Sequence, residues 1–282
     1  MYPRSFEYLA PSSLDEACAA LAGGNAKVMA GGMSLIPLMK LRLLSPDTVV
    51  DIGRIAGLDG IVDNGDHISI GALVRHHQTA SSSMVPAALS QAASWTGDVQ
   101  VRNRGTTCGS VAHADLAADQ PGAVLALGAT LVVRSASGGR EIAAADFFVD
   151  ALTTALEPGE ILTEVRIPKA GGGSAYEKLG RRGGHTDYAV AGAAAWVSRS
   201  NGSISDCRVA ITGVGTKPTL VDSVAQAMIG SDGSAAAIEA AAASATSGVT
   251  VLEDLYGSVE YKTHLAKVMA KRALTQAVAA AG

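Results

Sequence analysis

Two short stretches rich in glycine and hydroxyl residues are the first candidates for chemistry. One is the "AGGMS" turn within "VMAGGMSLIPLMKLRL", residues 28–43, and the other is "GTTCGS", residues 105–110. Glycine allows a tight turn in which backbone N–H groups converge on an anion, while serine or threonine oxygens donate to it. Two such turns, one in each subdomain, are suited to gripping a diphosphate from both sides.

These turns differ from the two best-known nucleotide-binding patterns. Neither reads GxGxxG, the fingerprint of dinucleotide-binding βαβ units, and neither reads GxxxxGK[ST], the phosphate loop of nucleoside-triphosphate enzymes. Taken alone, each turn more often marks a structural corner, because glycine pairs are a common way to reverse the chain. Their occurrence together favours the functional interpretation.

Cysteines and histidines do not show the spacing of a metal site. Cys18, Cys108 and Cys207 lie far apart, which excludes a CxxC pair, and their odd number does not suit a disulfide framework. The six histidines form no HExxH or similar ligand spacing. If metals or iron–sulfur clusters take part, another chain must hold them.

Several polar residues near the second turn have structural interpretations that compete with chemical ones. Asp115 and Asp119 share a face if their segment is helical, which would allow an acid–base pair. For His113 we expect loop capping rather than orientation of Asp115. We expect Cys108 to be an inert, buried thiol.

Basic residues elsewhere are similarly open to two interpretations. Arg102 and Arg104 are equally consistent with neutralising a diphosphate and with surface salt bridges. His76 and His77 are expected to lie at a solvated helix start.

The composition indicates a globular protein with a sizeable core. Of 282 residues, 48% are hydrophobic and 17% charged, and the formal net charge is −4. Lysine and arginine are scattered, so no basic stripe suggests nucleic acid as a partner. Neither a secretory signal nor an apolar run of about 18 residues, the length needed to cross a bilayer, is present. We expect a cytoplasmic protein without a transmembrane segment.

The elements that position the turns follow from local pattern. Residues 1–55 predict strand, helix, strand, helix, strand, with Ser12 or Ser13 as the first N-cap. Residues 56–172 predict short alternating strands such as "HISIGAL", "TLVVRSA" and "GEILTEVRIP" around the helix "MVPAALSQAASW".

A linker and a second domain are predicted beyond this point. "AGGG" at 170–173 has the composition of a linker, and residues 173–282 predict a small antiparallel sheet followed by helices. Asn201-Gly202 is the predicted hairpin turn. The alanine-rich "SAAAIEAAAASATSG" and the amphipathic C-terminal segment predict packing or surface helices.

Motifs along the whole chain resemble one family. "AGGMSLIPLMKLRL", "VRNRGTTCGSVAHADLAADQP", "GEILTEVRIP" and "YEKLGRRGGHTDYAVAGAAA" occur in the order and spacing of the medium, FAD-binding subunit of molybdenum hydroxylases, such as carbon monoxide and xanthine dehydrogenases. The resemblance implies an α+β fold: a two-subdomain FAD-binding domain of the vanillyl-alcohol-oxidase (PCMH) type at 1–172, divided near residue 55, and a C-terminal domain at 173–282 with a three-stranded antiparallel sheet and helices.

The resemblance also implies a set of FAD contacts. Two loops would wrap the diphosphate, Asp119 would bond flavin side-chain hydroxyls, Leu162 and Lys178 would lie beside the flavin, and Tyr188 would shield its ring system. Lys178 would also help to set the flavin potential. Because electron relay through a flavin needs no proton abstraction from a substrate, the resemblance favours one cofactor ligand and one N-cap over an acid–base pair at Asp119 and Asp115. The complete set of expected cofactor-binding residues is Ala30, Gly31, Gly32, Met33, Ser34, Leu35, Thr106, Thr107, Gly109, Ser110, Asp119, Leu162, Lys178 and Tyr188.

The chain departs from the commonest family pattern at two positions. Met33 stands where a polar glutamine or histidine is usual, and Cys108 stands where isoleucine, leucine or valine is more frequent. Contacts made by the backbone should survive both changes.

The resemblance implies an oxidoreductase subunit that relays electrons and has no catalytic residue of its own. Partners would be a small subunit with two [2Fe–2S] clusters and a large molybdopterin subunit, assembled as a dimer of heterotrimers in the cytoplasm or held by partners at the inner face of the membrane. Two alternatives are a self-sufficient FAD oxidoreductase of the same fold and a flavin-free assembly or scaffold subunit.

Overall fold

The computed structural model describes residues 2–183 and 186–282, so Gly184 and His185 of "RRGGHTDY" lie outside the described residues. In the described part, helices and strands mix along the chain, and three sheets contain three strands or more. The predicted α+β fold is confirmed.

The N-terminal unit is a small parallel sheet with two helices. Its elements are β1 (Glu7–Leu9), α1 (Leu14–Leu21), β2 (Ala26–Met29), α2 (Leu35–Lys40) and β3 (Thr48–Asp51). β3 lies between β1 and β2 and runs parallel to both. Ser13 is the N-cap of α1, because its hydroxyl accepts from the Glu16 N–H at 3.2 Å. The first glycine turn connects β2 to α2.

The second unit surrounds a five-stranded antiparallel sheet. Its elements are β4 (Ile61–Asp63), β5 (His67–Gly71), α3 (His76–Ser81), α4 (Ala87–Ser94), α5 (Val99–Arg102), α6 (Thr107–His113), α7 (Asp119–Ala126), β6 (Thr130–Ser135), β7 (Gly138–Ala143), α8 (Ala144–Phe147), β8 (Phe148–Asp150), β9 (Thr153–Thr154) and β10 (Ile161–Pro168). The strand order is β4-β5-β10-β6-β7, which places β10 in the centre, and the second glycine turn lies between α5 and α6.

The C-terminal unit is an antiparallel sheet covered by helices. Its elements are β11 (Gly173–Gly180), β12 (Ala189–Ser200), β13 (Ser203–Thr212), β14 (Thr219–Leu220), α9 (Asp222–Met228), α10 (Ala235–Ala242) and α11 (Val259–Ala280). Three long strands form the predicted sheet, and β14 adds two residues at its edge. The predicted hairpin turn is confirmed, because Asn201 and Gly202 both have positive φ, 52° and 81°.

Strand β12 is buried on both faces, which explains its near-continuous small apolar sequence "AVAGAAAWV". On one face, Ala194 and Trp196 join the core of the second unit. On the other, Ala191, Ala193 and Ala195 pack in the core formed with α9–α11. Because these side chains are small, both cores pack close to β12. The sheet therefore connects the two cores.

The alanine-rich segment is a packing helix, as predicted. In α10, Ile238, Ala241 and Ala242 are buried against the C-terminal core. Across residues 2–183 and 186–282, none of the helices combines the length and the apolar character needed to span a membrane.

The prediction of a linker over 170–173 is wrong at its last residue. Gly173 is buried and is the first residue of β11. A Cβ atom there would collide with the carbonyl oxygen of Ala277 and lie 2.7 Å from the carbonyl carbon of Ala280, both in α11. The glycine is required because a strand and a helix backbone touch at this point.

We expect Gly173→Ala to destabilise the protein by about 1–3 kcal/mol, the usual cost of forcing extra atoms into a packed contact. Gly171→Ala is the matched control, because nothing lies within 4 Å of a Cβ atom at Gly171. Denaturant unfolding of the two variants measures the difference. Equal stability would show that α11 moves away from β11 without cost.

Candidate functional site

The two glycine turns lie in direct contact. A Cβ atom on Gly31 would collide with the carbonyl oxygen of Arg104 and lie 2.8 Å from the Cα atom of Gly105. Only glycine at position 31 lets the first turn approach the backbone that leads into the second. The tertiary structure therefore brings together two segments that are more than 70 residues apart in the sequence.

The first turn leads into α2 with partly exposed backbone. Gly32 has a φ of +74°, and its carbonyl oxygen accepts from the Ile36 N–H at 3.0 Å. The N–H groups that precede Ile36 have no partner inside the helix, as at any helix start. Ser34 is the N-cap residue, but its side chain makes no capping hydrogen bond. Residues 30, 31, 32, 34 and 35 are partly exposed, and the Met33 side chain is exposed.

The second turn is held by its threonines. The Thr106 hydroxyl caps α6 by accepting from the Gly109 N–H at 3.1 Å. The Thr107 hydroxyl lies 2.7 Å from that of Thr79, and both Thr106 and Thr107 are buried. Gly109 and Ser110 are partly exposed. The threonine side chains therefore build the turn, while a ligand would have access to the backbone and to Ser110.

His76 supports the second turn from behind, and its predicted place at a solvated helix start is wrong. The residue is 4% exposed, and its backbone N–H donates to the Gly105 carbonyl at 2.9 Å. Its Nδ1 lies 2.7 Å from Nε2 of Gln120 in α7. Burial, together with the charge of Arg102, lowers the pKa of His76 to about 4, so the ring is neutral at physiological pH.

The loop between α6 and α7 carries backbone bonds to the C-terminal unit. The N–H of Ala189 donates to the Ala117 carbonyl at 3.1 Å, and the N–H of Gly213 donates to the Leu116 carbonyl at 2.8 Å. Asp115 accepts from the Ala117 N–H at 2.9 Å. It therefore closes a turn rather than serving as the predicted N-cap, a position taken by Ala118.

Asp119 forms a buried ion pair across the domain boundary. Its Oδ2 accepts from Lys178 Nζ at 2.7 Å, and its Oδ1 accepts from the Tyr176 hydroxyl at 2.6 Å. Lys178 Nζ also donates to the carbonyl oxygens of Trp95 and Asp187, at 3.0 and 2.7 Å. The three side chains of the pair and its tyrosine are at most 4% exposed. All three lysine donors are thus used within the protein.

Removal from water is the strongest influence on this carboxylate. Burial raises the pKa of Asp119 to about 6, although Lys178 and the two hydrogen bonds pull it down. The Asp119 carboxyl is therefore ionised at neutral pH. Burial and the adjacent Asp119 charge raise the pKa of Tyr176, so its hydroxyl remains a donor.

Tyr188 lies at the same boundary, with 44% of its surface exposed. The guanidinium carbon of Arg181 is 5.1 Å from the centre of its ring and 4.5 Å from that of Tyr256. The Arg181 N–H donates to the Tyr188 carbonyl at 2.9 Å. An aromatic face is therefore held next to the buried pair by stacking on a cation.

The remaining candidates have structural roles. Leu162 is 5% exposed and belongs to the core of the second unit. Cys108 is buried as expected, and burial raises the pKa of its thiol. Arg102 donates to the Gly97 carbonyl at 2.7 Å, so it closes a loop. Burial lowers the pKa of the partly exposed His113, against the opposing charge of Asp115.

Two domain families cover almost the entire chain. Residues 4–170 match the FAD binding domain in molybdopterin dehydrogenase, and residues 174–277 match the CO dehydrogenase flavoprotein C-terminal domain. The chain is a member of the FAD-binding medium-chain family of molybdenum hydroxylases. It is therefore an oxidoreductase subunit whose cofactor is FAD.

Similar proteins share this architecture over their full length. The medium chain of carbon monoxide dehydrogenase from Hydrogenophaga pseudoflava is 40% identical, with 98% of each chain covered. The 6-hydroxypseudooxynicotine dehydrogenase complex subunit alpha from Paenarthrobacter nicotinovorans is 37% identical, with 99% of this chain and 96% of the relative covered. A solved carbon monoxide dehydrogenase from Hydrogenophaga pseudoflava, lacking the Mo-pyranopterin moiety of its cofactor, superposes with a TM-score of 0.94 at 40% identity and covers both chains completely.

The residues of this medium chain fit an FAD diphosphate at the turns. The turns touch, each leads into a helix, and the Ser34 and Ser110 hydroxyls have no hydrogen-bond partner among residues 2–183 and 186–282. Amide donors at the first turn and hydroxyl donors at both turns together suit an anion. In the same residues, no group of three or more histidine, cysteine or acidic side chains has the geometry of a metal site.

Two contributors to the site, Tyr176 and Arg181, were absent from the sequence interpretation, and His76 was placed at a solvated helix start. Tyr176 and Lys178 are two residues apart on one strand, so they share a face of β11, and this spacing was an available signal. His76 and Arg181 gave no comparable signal, because their partners come from distant segments.

We expect Lys178→Met to cost about 3–5 kcal/mol, because it leaves a buried carboxylate without its cation. Adding Asp119→Asn should recover part of this loss, since no buried charge then remains. Lys169→Met is the control, because the Lys169–Asp63 pair, 2.9 Å apart, is about half exposed, and such pairs contribute about 0–1 kcal/mol. A double-mutant cycle by denaturant unfolding measures the coupling. Equal losses of stability in Lys178→Met and Lys169→Met would contradict the expected coupling of the buried pair.

A second prediction concerns the pH dependence of stability. The folded pKa of His76 is about 4 against an ordinary value of 6.5, so between these pH values the unfolded state binds a proton that the folded state excludes. Stability therefore falls as the pH drops through this window, by about 3 kcal/mol. His76→Asn keeps an acceptor for Gln120 but does not titrate. Asp119 contributes equally to the pH dependence of both proteins, so its effect cancels in the comparison. Parallel profiles of stability against pH for wild type and variant would therefore refute the lowered pKa of His76.

Proposed function

We propose that the chain carries FAD across its two glycine turns and relays electrons within a heterotrimeric molybdenum hydroxylase. Substrate would be oxidised on a large molybdopterin subunit, and electrons would pass through two [2Fe–2S] clusters on a small subunit to this chain and then to an external acceptor. The observation that carries the proposal is the contact between Gly31 and the segment before the second turn, within a chain of this family. FAD supplies the redox chemistry, since it can exchange electrons singly or in pairs.

Each part of the proposed site has a separate task. Backbone amides of residues 30–35 bind the diphosphate, with Ser34 and Ser110 donating from their hydroxyls. In the second turn, the amides of Thr107, Gly109 and Ser110 are used within the protein. The Asp119–Lys178 pair sets the spacing of the FAD-binding and C-terminal domains, proposed at 1–172 and 173–282, and one remaining carboxylate lone pair can meet a flavin side-chain hydroxyl. Leu162 contributes an apolar wall, and the half-exposed Tyr188 contributes an aromatic face.

The proposal assigns substrate choice to the large subunit. Chains 35–40% identical to this one belong to proteins named carbon monoxide dehydrogenase, glyceraldehyde dehydrogenase and nicotine 6-hydroxylase. Medium chains of similar sequence therefore occur in enzymes named for a gas, an aldehyde and an N-heterocycle. This pattern suits a subunit that handles electrons only. We place the complex, a dimer of heterotrimers, in the cytoplasm.

The deciding experiment is purification of the chain alone and with its co-expressed neighbours, followed by spectroscopy and identification of the released cofactor. We expect about one FAD per chain in the complex, and FAD reduction by substrate only when the partner subunits are present. Reduction by substrate in the isolated chain would favour a self-sufficient oxidoreductase. A colourless protein in both preparations would favour a scaffold subunit.

We expect the double variant Ser34→Ala/Ser110→Ala to bind FAD at least tenfold more weakly, because a hydrogen bond to a charged group contributes about 1.5–3 kcal/mol. Its unfolding temperature without flavin should not change, since neither hydroxyl bonds within the described protein. Ser90→Ala is the control, because the Ser90 hydroxyl bonds only the Ala87 carbonyl of its own helix. Fluorescence titration with FAD measures the affinity. Unchanged affinity would remove the hydroxyls from the site.

A further inference from the structure

The acidic residues around Tyr188 are mostly paired with cations. Asp119 pairs with Lys178, Asp187 with Arg182, and Asp254 with Lys262, each at 2.7 Å. Lys178 in particular is neutralised by its partner and enclosed by protein. Its charge therefore contributes little net field beyond the pair.

Among the cations near Tyr188 in the described residues, Arg181 has no carboxylate within ion-pair distance. It forms no ion pair there, and its Nε atom is buried without a hydrogen-bond acceptor. A buried donor in this condition costs about 1–3 kcal/mol, so its retention requires an explanation. The guanidinium is held instead between the rings of Tyr188 and Tyr256.

The charge of Arg181 acts directly at the Tyr188 ring. Burial raises the pKa of Tyr188, Asp115 adds to this effect, and Arg181 opposes it. Asp115, Asp119 and Asp187 all oppose Arg181 at this ring, and the field of Arg181 also reaches the carboxylates of Asp187 and Asp254. Arg181 also fixes the Tyr188 main chain through its own N–H. The position of the Tyr188 ring and the charge beside it therefore both depend on Arg181.

We propose that Arg181 is a positioning residue of the flavin site, which holds Tyr188 in place and supplies a positive charge, not held in an ion pair, that favours reduced over oxidised FAD. The inference rests on the proposed function and deepens it. It transfers the potential-setting role from Lys178, whose charge is cancelled by Asp119, to Arg181. Reduced flavin carries more negative charge than oxidised flavin, so a nearby net cation stabilises it selectively.

The test uses the co-purified complex with Arg181→Gln, Arg181→Lys and the matched control Arg182→Gln. Reductive titration measures the FAD midpoint potential, and visible circular dichroism reports the asymmetry of the flavin environment. We expect Arg181→Gln to weaken the preference for reduced FAD about tenfold, which lowers a two-electron potential by ~30 mV. Arg182→Gln removes the same charge from a side chain that is 82% exposed and paired with Asp187, so its potential should remain at the wild-type value.

Arg181→Lys separates charge from stacking. It should keep the wild-type potential but change the flavin circular dichroism, because an ammonium group cannot stack flat between two rings. Tyr256→Leu should change the dichroism in the same direction, since it removes one side of the stack from a tyrosine that is 43% exposed, a position where the fold tolerates substitution.

Two results would overturn the inference: equal potentials for Arg181→Gln and Arg182→Gln, or unchanged dichroism in both Arg181→Lys and Tyr256→Leu. Absence of FAD from the wild-type complex would refute the proposed function itself. The failures are therefore distinguishable. If Arg181→Gln does not fold, the potential of Arg181→Met decides the charge effect and Tyr256→Leu the positional one.

Discussion

The arrangement of this molecule depends on a buried ion pair between Asp119 and Lys178. The carboxylate begins α7 of the FAD-binding domain, and the ammonium group comes from β11 of the C-terminal domain. Removing both charges from water is expensive, and the pair is tolerated because Tyr176 donates to the carboxylate and two main-chain carbonyls accept the remaining lysine donors. Such a pair specifies one relative position of the two domains, since any displacement would leave a buried charge unpaired.

A second constraint is steric. The first glycine turn can touch the second only because Gly31 has no side chain where the Arg104 carbonyl lies. The threonines of the second turn and His76 behind it are buried, so this turn is built rigidly from within. The surface left for a ligand then consists of main-chain amides and two serine hydroxyls. Under the proposed function, electrostatic complementarity to a diphosphate would arise from amide and hydroxyl donors rather than from arginine or lysine side chains.

The C-terminal domain is held in place by close packing of small residues. Strand β12 places alanines against both cores, and Gly173 lets β11 touch α11. The close packing gives β11 a fixed course, and β11 carries both Tyr176 and Lys178 to the boundary. Arg181, directly after β11, holds the aromatic ring of Tyr188 by a cation–π contact. In this way the packing of small residues, remote from the turns, decides where the site's charged and aromatic groups lie.

The sequence by itself determined the local elements and the family. Ser13 as an N-cap, Asn201-Gly202 as a hairpin turn and the two glycine turns were readable because each depends on neighbouring residues within one turn of chain. The tertiary structure alone decided that the turns touch, that His76 is buried, that Gly173 belongs to a strand rather than a linker, and that Lys178 is neutralised while Arg181 is not. The physical reason is that burial and pairing of a side chain depend on partners from distant segments, which local propensity and spacing do not encode.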